Sequence, residues 1–543
     1  MGFRHVLAAL AAAGLAQAIA APTTVCTITV NSADERESFR KHLPAGDYEF
    51  VELVERGRPD WLEASCRKQI RCDVLVVSGH FAGSEFYSSR PEVTETLKVD
   101  EIERVQCGES CGLFSQLKEV YLFGCDSLKP VAVKSATPEV IRDLERGGAS
   151  EADAQAQAAA LSTRYAESSQ ELMRRMFPNV PVIYGFASLA PYGRTSGPLL
   201  DRYFEGAASS EVGSGVVSER LLALFGPSSM TVAAGVRPGE PAWQARAESC
   251  LYADPRTPLA AKVALMHDAL AADGADVRMT FDRIEHFFAS VGSTPDSPEV
   301  AVEKARLAED AAARDRYLTL TRETSDPALR MRMIAMARRV AWLDDAGERA
   351  EVAATIVAMM ARRDMGFGEV ELVCGLESGA ALDAELETFH VSRLPRGTAQ
   401  EAARACLGSS ASREAVLQAL LSGDEHEVQL AQAYLRHRPI VDAAEMRRMA
   451  FGVARMGAAP SQVRALETLA RQHVDDREAL EALATLYART RSPAVQRAVA
   501  EVFLRSDRAL IAPATLATLR ERRIKPDALI DQLIAASPAR AGT

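Results

Sequence analysis

Beyond its first twenty residues the chain has no second long apolar run, so the mature protein is expected to hold no membrane span. It also lacks a basic excess. Its 63 Lys+Arg stand against 74 Asp+Glu, a formal net charge of -11. Phosphate binding needs a basic face, so no nucleic-acid partner is expected. Several catalytic signatures are missing too. There is no P-loop and no HExxH motif. Ser209-Ser210 and Gly213-Ser214-Gly215 make no nucleophile elbow and read as a flexible loop. Glu285-His286 has no second ligand at metal-binding spacing, and His426, beside Asp424 and Glu425, reads as part of a solvated turn. No metal and no cofactor are therefore expected. Strand patterning, finally, is almost absent after about Pro255.

What is present describes a globular chain. Its 543 residues are 48% hydrophobic and 25% charged, enough for two or three domains. Arg4 and His5, the apolar run Val6 to Leu15 and the small-x-small Ala18-Ile19-Ala20 read as a signal peptide over residues 1–20. A periplasmic or secreted location follows as an expectation. Six of the nine cysteines (Cys26, Cys66, Cys72, Cys107, Cys111 and Cys125) fall in the N-terminal part. After export, spare thiols tend to pair. Cys66/Cys72 and Cys107/Cys111 are the local candidates, although sequence does not fix connectivity. The same four thiolates could alternatively hold zinc, for which C-x5-C and C-x3-C are weak spacings.

Two regimes follow the leader. From 21 to about 240, short apolar runs alternate with helical stretches. Val25–Val30, Tyr48–Val54, Asp73–Ser78, Val120–Phe123, Pro181–Phe186 and Met230–Ala234 read as strands. Ala33–His42, Glu151–Phe177 and Ser196–Phe204 read as helices. Strand alternating with helix predicts an α/β layer around a mostly parallel sheet. From 255 to 540 the apolar positions are spaced three and four apart. Val428, Ala431 and Leu435 recur as Val463, Leu466 and Ala470, then as Val495, Ala498 and Val502. Turn residues precede each set, as in stacked helix pairs of a solenoid-like repeat domain. The pattern loosely resembles HEAT repeats, which implies a surface for a protein partner. The Arg330–Arg339 stretch reads as a solvated helix face.

Two segments carry the strongest chemical signal: Cys72-Asp-Val-Leu-Val-Val-Ser-Gly-His80 and Glu119-Val-Tyr-Leu-Phe-Gly-Cys125-Asp-Ser127. Each is an apolar strand that ends at a glycine (Gly79, Gly124) and then offers a reactive side chain. In open parallel sheets, functional groups collect beyond the carboxyl ends of strands. His80 and Cys125 are therefore expected on one edge, as general acid/base and nucleophile. A cysteine attacks as the thiolate, which a neighbouring imidazole favours. Backbone N–H groups of Cys125 and of the turn at Gly79–Phe81 are candidates for an oxyanion hole. Asp126 and Ser127 are candidates for a substrate pocket.

Ser78-Gly79-His80 and Gly124-Cys125-Asp126-Ser127 resemble the paired motifs of the caspase superfamily, closest to its separase and CHAT branch. Val180-Pro-Val-Ile-Tyr-Gly-Phe resembles the strand that follows in those domains, and Phe204 the phenylalanine of the next helix. The resemblance spans roughly 24–235. It implies a caspase-like parallel-sheet fold and a thiol protease that cleaves protein or peptide substrates through a thioester. The family usually has glycine directly after the histidine. Here Phe81 stands there, with Gly83 to supply flexibility and the loop Phe81–Ser89 to shape the pocket. That departure motivates the alternative, a catalytically inactive scaffold whose helical repeats bind a partner. A further possibility is that Cys107 or Cys111 pairs with Cys125 and masks it.

Overall fold

The structure is a computed structural model. It describes residues 21–535 apart from 91, 108–110, 133–134, 207, 255, 292–295, 377–381, 383, 387–393 and 458. The expected signal peptide lies outside the described residues. The chain divides into two compact units, Met1–Ala313 and Arg314–Thr543. Strands do end near residue 233, as the sequence pattern expects. The first unit, however, runs on past 255 and takes in three more helices, Leu259–Leu270, Gly274–Val291 and Pro298–Glu309.

The first unit is built on a six-stranded sheet. Its strands are β1 (Thr23–Thr29), β2 (Tyr48–Glu52), β3 (Val74–Ser78), then β7 (Glu119–Phe123), β8 (Val182–Phe186) and β9 (Met230–Ala233). Their spatial order is β2-β1-β3-β7-β8-β9. All neighbours run parallel except β8 and β9, which pair antiparallel. Each coincides with an expected strand to within two residues at either end. Strands β3, β7 and β8 are buried along their whole length, as sheets covered on both faces require. A second, three-stranded sheet comes between β3 and β7 in the chain. It is made of β4 (His80–Phe81), β5 (Glu85–Tyr87) and β6 (Leu97–Lys98), and sequence periodicity gave no sign of it.

Helices α1 (Asp34–His42) and α7 (Gly193–Phe204) pack together beside Phe39, Leu200 and Tyr203 on one face. Helices α2 (Trp61–Arg67) and α3 (Val99–Cys107) cover the other face. The expected helix Glu151–Phe177 is two helices, α5 (Glu151–Tyr165) and α6 (Ser169–Met176). Ala166 breaks it with a left-handed φ of 58°, and Ser168 restarts it by accepting the Glu171 N–H at 3.2 Å. Helices α9 (Pro241–Ala253) and α11 (Gly274–Val291) then bind back. The Cys107–Cys250 disulfide ties α9 to α3. Arg278 on α11 pairs with Asp143 on α4 (Thr137–Arg146), and the Tyr165 hydroxyl donates to Asp276 at 2.6 Å.

The disulfides differ from the local pairs expected. They are Cys26–Cys72, Cys66–Cys111 and Cys107–Cys250, with Cys374–Cys406 in the second unit. Neighbouring strands decide the first. Cys26 on β1 and Cys72 at the mouth of β3 are both fully buried beside each other, whereas Cys66 ends a helix on the covering layer. The thiols that would have made the zinc set are all in these bridges. The turn at Gly213–Gly215, expected as a flexible loop, is also tied down. Gly213 and Gly215 donate their N–H groups to the buried Glu119 carboxylate at 2.9 Å each. Both glycines have left-handed φ values, 81° and 72°, that side chains rarely adopt.

Among its described residues the second unit is all-helical. Helices Thr398–Cys406, Glu425–His437, Ala459–Gln472 and Pro493–Arg505 lie side by side as one row. Ser410–Ala419, Ala443–Arg455, Arg477–Arg489 and Pro513–Glu521 lie along them, joined by ion pairs such as Arg413–Glu445 at 2.6 Å. Of the nine recurrent apolar positions read from the sequence, eight are buried and Val463 packs against the same core.

Candidate active site

Strands β3 and β7 are adjacent and in register, Ser78 opposite Phe123. One residue on stand Gly79 and Gly124, and one further His80 and Cys125. The two reactive side chains thus leave neighbouring strands at the same level. Both line one cavity of about 160 Å³, together with Asn31 and Glu35 after β1 and Leu189–Gly193 after β8. The carboxyl ends of four parallel strands therefore build the site.

The two glycines are there for close approach rather than for unusual backbone angles. A Cβ on Gly124 would stand 2.9 Å from Gly79 O, 2.9 Å from the Phe86 ring and 3.0 Å from Phe81 Cβ. A Cβ on Gly79 would run into the Val30 side chain. Gly79 N–H donates to Phe123 O at 3.2 Å, so it is taken by the sheet and is not available to an oxyanion.

Phe81 sits in β4 with an ordinary φ, and its side chain is 8% exposed. Its ring packs on Phe86 with centroids 4.7 Å apart, inside the core beneath the sheet. Side chains alternate along a strand, so burying Phe81 sends His80 the other way. Ala82 N–H donates to Glu85 O at 3.1 Å. Antiparallel pairs alternate between bonded and non-bonded, so the Phe81–Phe86 pair is non-bonded and the Phe81 N–H points away from β5. Gly83, with φ of 83°, makes the turn between β4 and β5.

His80 is half-buried. Its Nε2 lies 3.4 Å from Asn31 Nδ2, and Asn31 Oδ1 accepts the Ser88 hydroxyl at 3.1 Å. The Tyr87 ring stands 5.6 Å away, tilted. As placed, Asn31 donates to a neutral imidazole. Turned over, its oxygen would accept from an imidazolium Nε2–H while its nitrogen donates to Ser88 Oγ. The same small network can therefore orient either protonation state.

Cys125 is the free cysteine among the described residues, the other eight being paired. Neither Cys107 nor Cys111 masks it, since each has another partner. Ala190 N–H donates to Cys125 Sγ at 3.3 Å, a contact well suited to a thiolate acceptor.

Asp126 and Ser127 do not line the cavity. Asp126 holds a left-handed φ of 56°, donates its N–H to Ser188 O at 2.7 Å and pairs with Lys129 at 3.4 Å. Ser127 is fully buried. It accepts the Phe186 N–H at 3.1 Å and donates to Leu122 O at 3.4 Å, which pins the post-β7 turn to β8. These two residues hold the turn that presents Cys125. Sequence reasoning missed Asn31, Glu35 and Leu189–Tyr192. Each follows a recognised strand, but only the strand order, with β1 beside β3 and β8 beside β7, brings it to the edge where His80 and Cys125 stand.

The fold and site define an α/β protein with a cysteine–histidine pair at the carboxyl edge of its sheet. No protein-family model, curated protein or solved structure matches the chain.

Proposed function

We propose that the chain is a caspase-like cysteine endopeptidase, with Cys125 as nucleophile and His80 as proton carrier. The observation that carries the reading is the placing of a histidine and the free cysteine two residues beyond adjacent, in-register parallel strands, lining one cavity. Cys125 is the free thiol among the described residues, and His80 lines the same cavity.

The reaction follows from those positions. His80 takes the Cys125 proton. The thiolate attacks the peptide carbonyl carbon, and backbone N–H groups stabilise the resulting oxyanion, with those of Cys125 and Phe81 as the candidates. The C–N bond breaks, the imidazolium gives its proton to the leaving amine, and a thioester remains. His80 then takes a proton from water. The hydroxide attacks the thioester, the carboxylic acid leaves, and the thiolate recovers its proton. With its amide turned over, Asn31 Oδ1 would accept from His80 Nε2–H in both charge states, leaving Nδ1 as the nitrogen that takes and returns the proton.

Phe81 was what favoured a catalytically inactive scaffold. With its side chain in the core and its N–H outside the β4–β5 ladder, it no longer argues for one. The helical second unit is read as a HEAT-like array that holds a substrate or protein partner. Four disulfides support an oxidising location, periplasmic or secreted.

The test is cleavage of a mixed fluorogenic peptide library by the mature protein, beside Cys125→Ala. Turnover that falls at least about a thousandfold in the variant is expected. A folded wild type that cleaves nothing would return the molecule to the scaffold reading.

A further inference from the structure

Several arginines of the second unit face a carboxylate. On helices Ala443–Arg455 and Ala459–Gln472, Arg447 pairs with Asp476 at 2.8 Å, Arg448 with Glu414 at 2.7 Å and Arg464 with Glu425 at 2.6 Å. Arg455, Arg489 and Arg491 differ. All three are exposed, and none has a hydrogen-bond or ion-pair partner among the described residues. All three line one groove of about 800 Å³.

The groove is basic in a chain whose net charge is -11. No aspartate or glutamate is among the described residues that line it. Helices Ala443–Arg455 and Arg477–Arg489 carry Glu445 and Glu478 in their first turns and end on Arg455 and Arg489, so their charges separate along the axis. Four residues before those arginines, where a carboxylate would pair within the helix, stand Phe451 and Thr485. A last-turn arginine suits the helix dipole. Arg491 has no such role, because it lies in the connection to the next helix. That helix, Pro493–Arg505, starts at the groove, and a helix start also favours negative charge. Between the arginines the lining is apolar, with Met456 and Leu486, and Phe451 is exposed beside them.

We propose that this groove docks an acidic peptide segment of a partner protein. The inference rests on reading the helical unit as a partner-holding array and is independent of the peptidase. Helices Ala443–Arg455 and Arg477–Arg489 are in contact, and packed helices lie roughly 8 to 10 Å apart. Three residues of an extended or polyproline-type chain span about 9 to 10 Å. Acidic side chains three residues apart would therefore meet Arg455 and Arg489, with Arg491 as a third cation. An apolar side chain between them would lie on Met456 and Leu486.

The experiment is fluorescence anisotropy with the full mature chain carrying Cys125→Ala, so that no probe is cleaved. The probes are a labelled nonapeptide with glutamates three residues apart and leucines between, and its glutamine and lysine analogues. The glutamate peptide is expected to bind at least about tenfold tighter than the glutamine one, with an affinity that falls as salt rises. Arg489→Glu and Arg491→Glu, both exposed, are each expected to weaken it about tenfold or more. Arg477→Glu, exposed at the far end of the same helix as Arg489, should leave it unchanged. Glutamate-peptide binding that survives both reversals would overturn this groove while keeping the array as a partner surface. Equal binding of the glutamine or lysine peptide would overturn the choice of an acidic partner. Tighter binding of a single-stranded oligonucleotide of the same charge would overturn the choice of a peptide. Binding by none of the probes would overturn the inference, and with it the support it gives to the array reading.

Discussion

The two units of this chain are held together differently. In the α/β unit the important contacts are long-range. Paired positions on β3 and β7 (Val74 and Glu119) and on β7 and β8 (Glu119 and Val182) come from distant parts of the sequence. Disulfides close loops with sequence separations of 46, 45 and 143, and bare backbone meets bare backbone at Gly79 and Gly124. In the helical unit the next helix but one supplies most contacts, and the disulfide among its described residues spans a separation of 32. A side-chain cluster at a sheet edge needs several chain segments converging at one level, which the first arrangement provides. The second packs helix on helix, and its described residues hold no pair comparable to Cys125 and His80.

The sharpest way to test that contrast is reduction. A disulfide stabilises by restricting the unfolded chain, roughly 3 to 5 kcal/mol for loops of these lengths. Three such links in the α/β unit against one in the helical unit predict an uneven response. Calorimetry of the mature protein, with and without a strong reductant, should show the α/β transition falling much further than the helical one. A helical transition that falls as far or further would break the comparison. Titration of native protein without reductant should find a single reactive thiol, Cys125.

A smaller effect comes from single glycines. At Gly124 an added methyl has no room on three sides, so Gly124→Ala is expected to cost about 1 to 3 kcal/mol. It should also push Cys125 out of line, and a displacement of about 1 Å can cost on the order of a hundredfold in rate. Gly423 in the helical unit has nothing within 4 Å of where a methyl would stand, and no left-handed φ. Gly423→Ala is therefore expected to be neutral, or to stabilise by roughly 0.4 to 1 kcal/mol. Melting temperatures together with peptide turnover separate the two. Equal effects at both sites would mean that the close approach at Gly124 matters less than its geometry implies.

Much of the α/β sheet was legible because fully buried strands leave unmistakable apolar runs, and β3 and β7 each end at a glycine followed by a reactive side chain. That is enough to find His80 and Cys125. It is not enough to find Glu35, Asn31 or Ala190, because their nearness depends on strand order, which puts β1 beside β3 and β8 beside β7. The three short strands β4 to β6 have two or three residues each, too few to show a period of two. They are also why Phe81 looked like an obstacle, since only the hairpin sends its ring into the core. The disulfides were misread for a related reason. A short loop suggested Cys66 with Cys72, whereas adjacent strands join Cys72 to Cys26. In the helical unit, by contrast, the repeating apolar positions were visible directly, since each helix carries its own period of about 3.6.

The smallest predicted effect separates the units by the sign of their pH dependence. Burial raises the Glu35 carboxyl above its ordinary 4.5. A group raised on folding contributes stability that is full below 4.5 and is lost as pH climbs through its raised value. Glu35→Gln has no proton to lose, so its melting temperature relative to wild type should rise between acid and neutral pH. In the helical unit, Arg447 pairs with Asp476 at 2.8 Å and holds its carboxyl below the ordinary 3.8. That contribution is present above 3.8 and is lost as pH falls through the lowered value, so the deficit of Asp476→Asn should shrink in acid. Melting curves of both variants across the acid range check the two signs together. A Glu35→Gln difference that stays flat with pH would mean that Glu35 keeps its charge, and therefore already has a partner, in the folded protein.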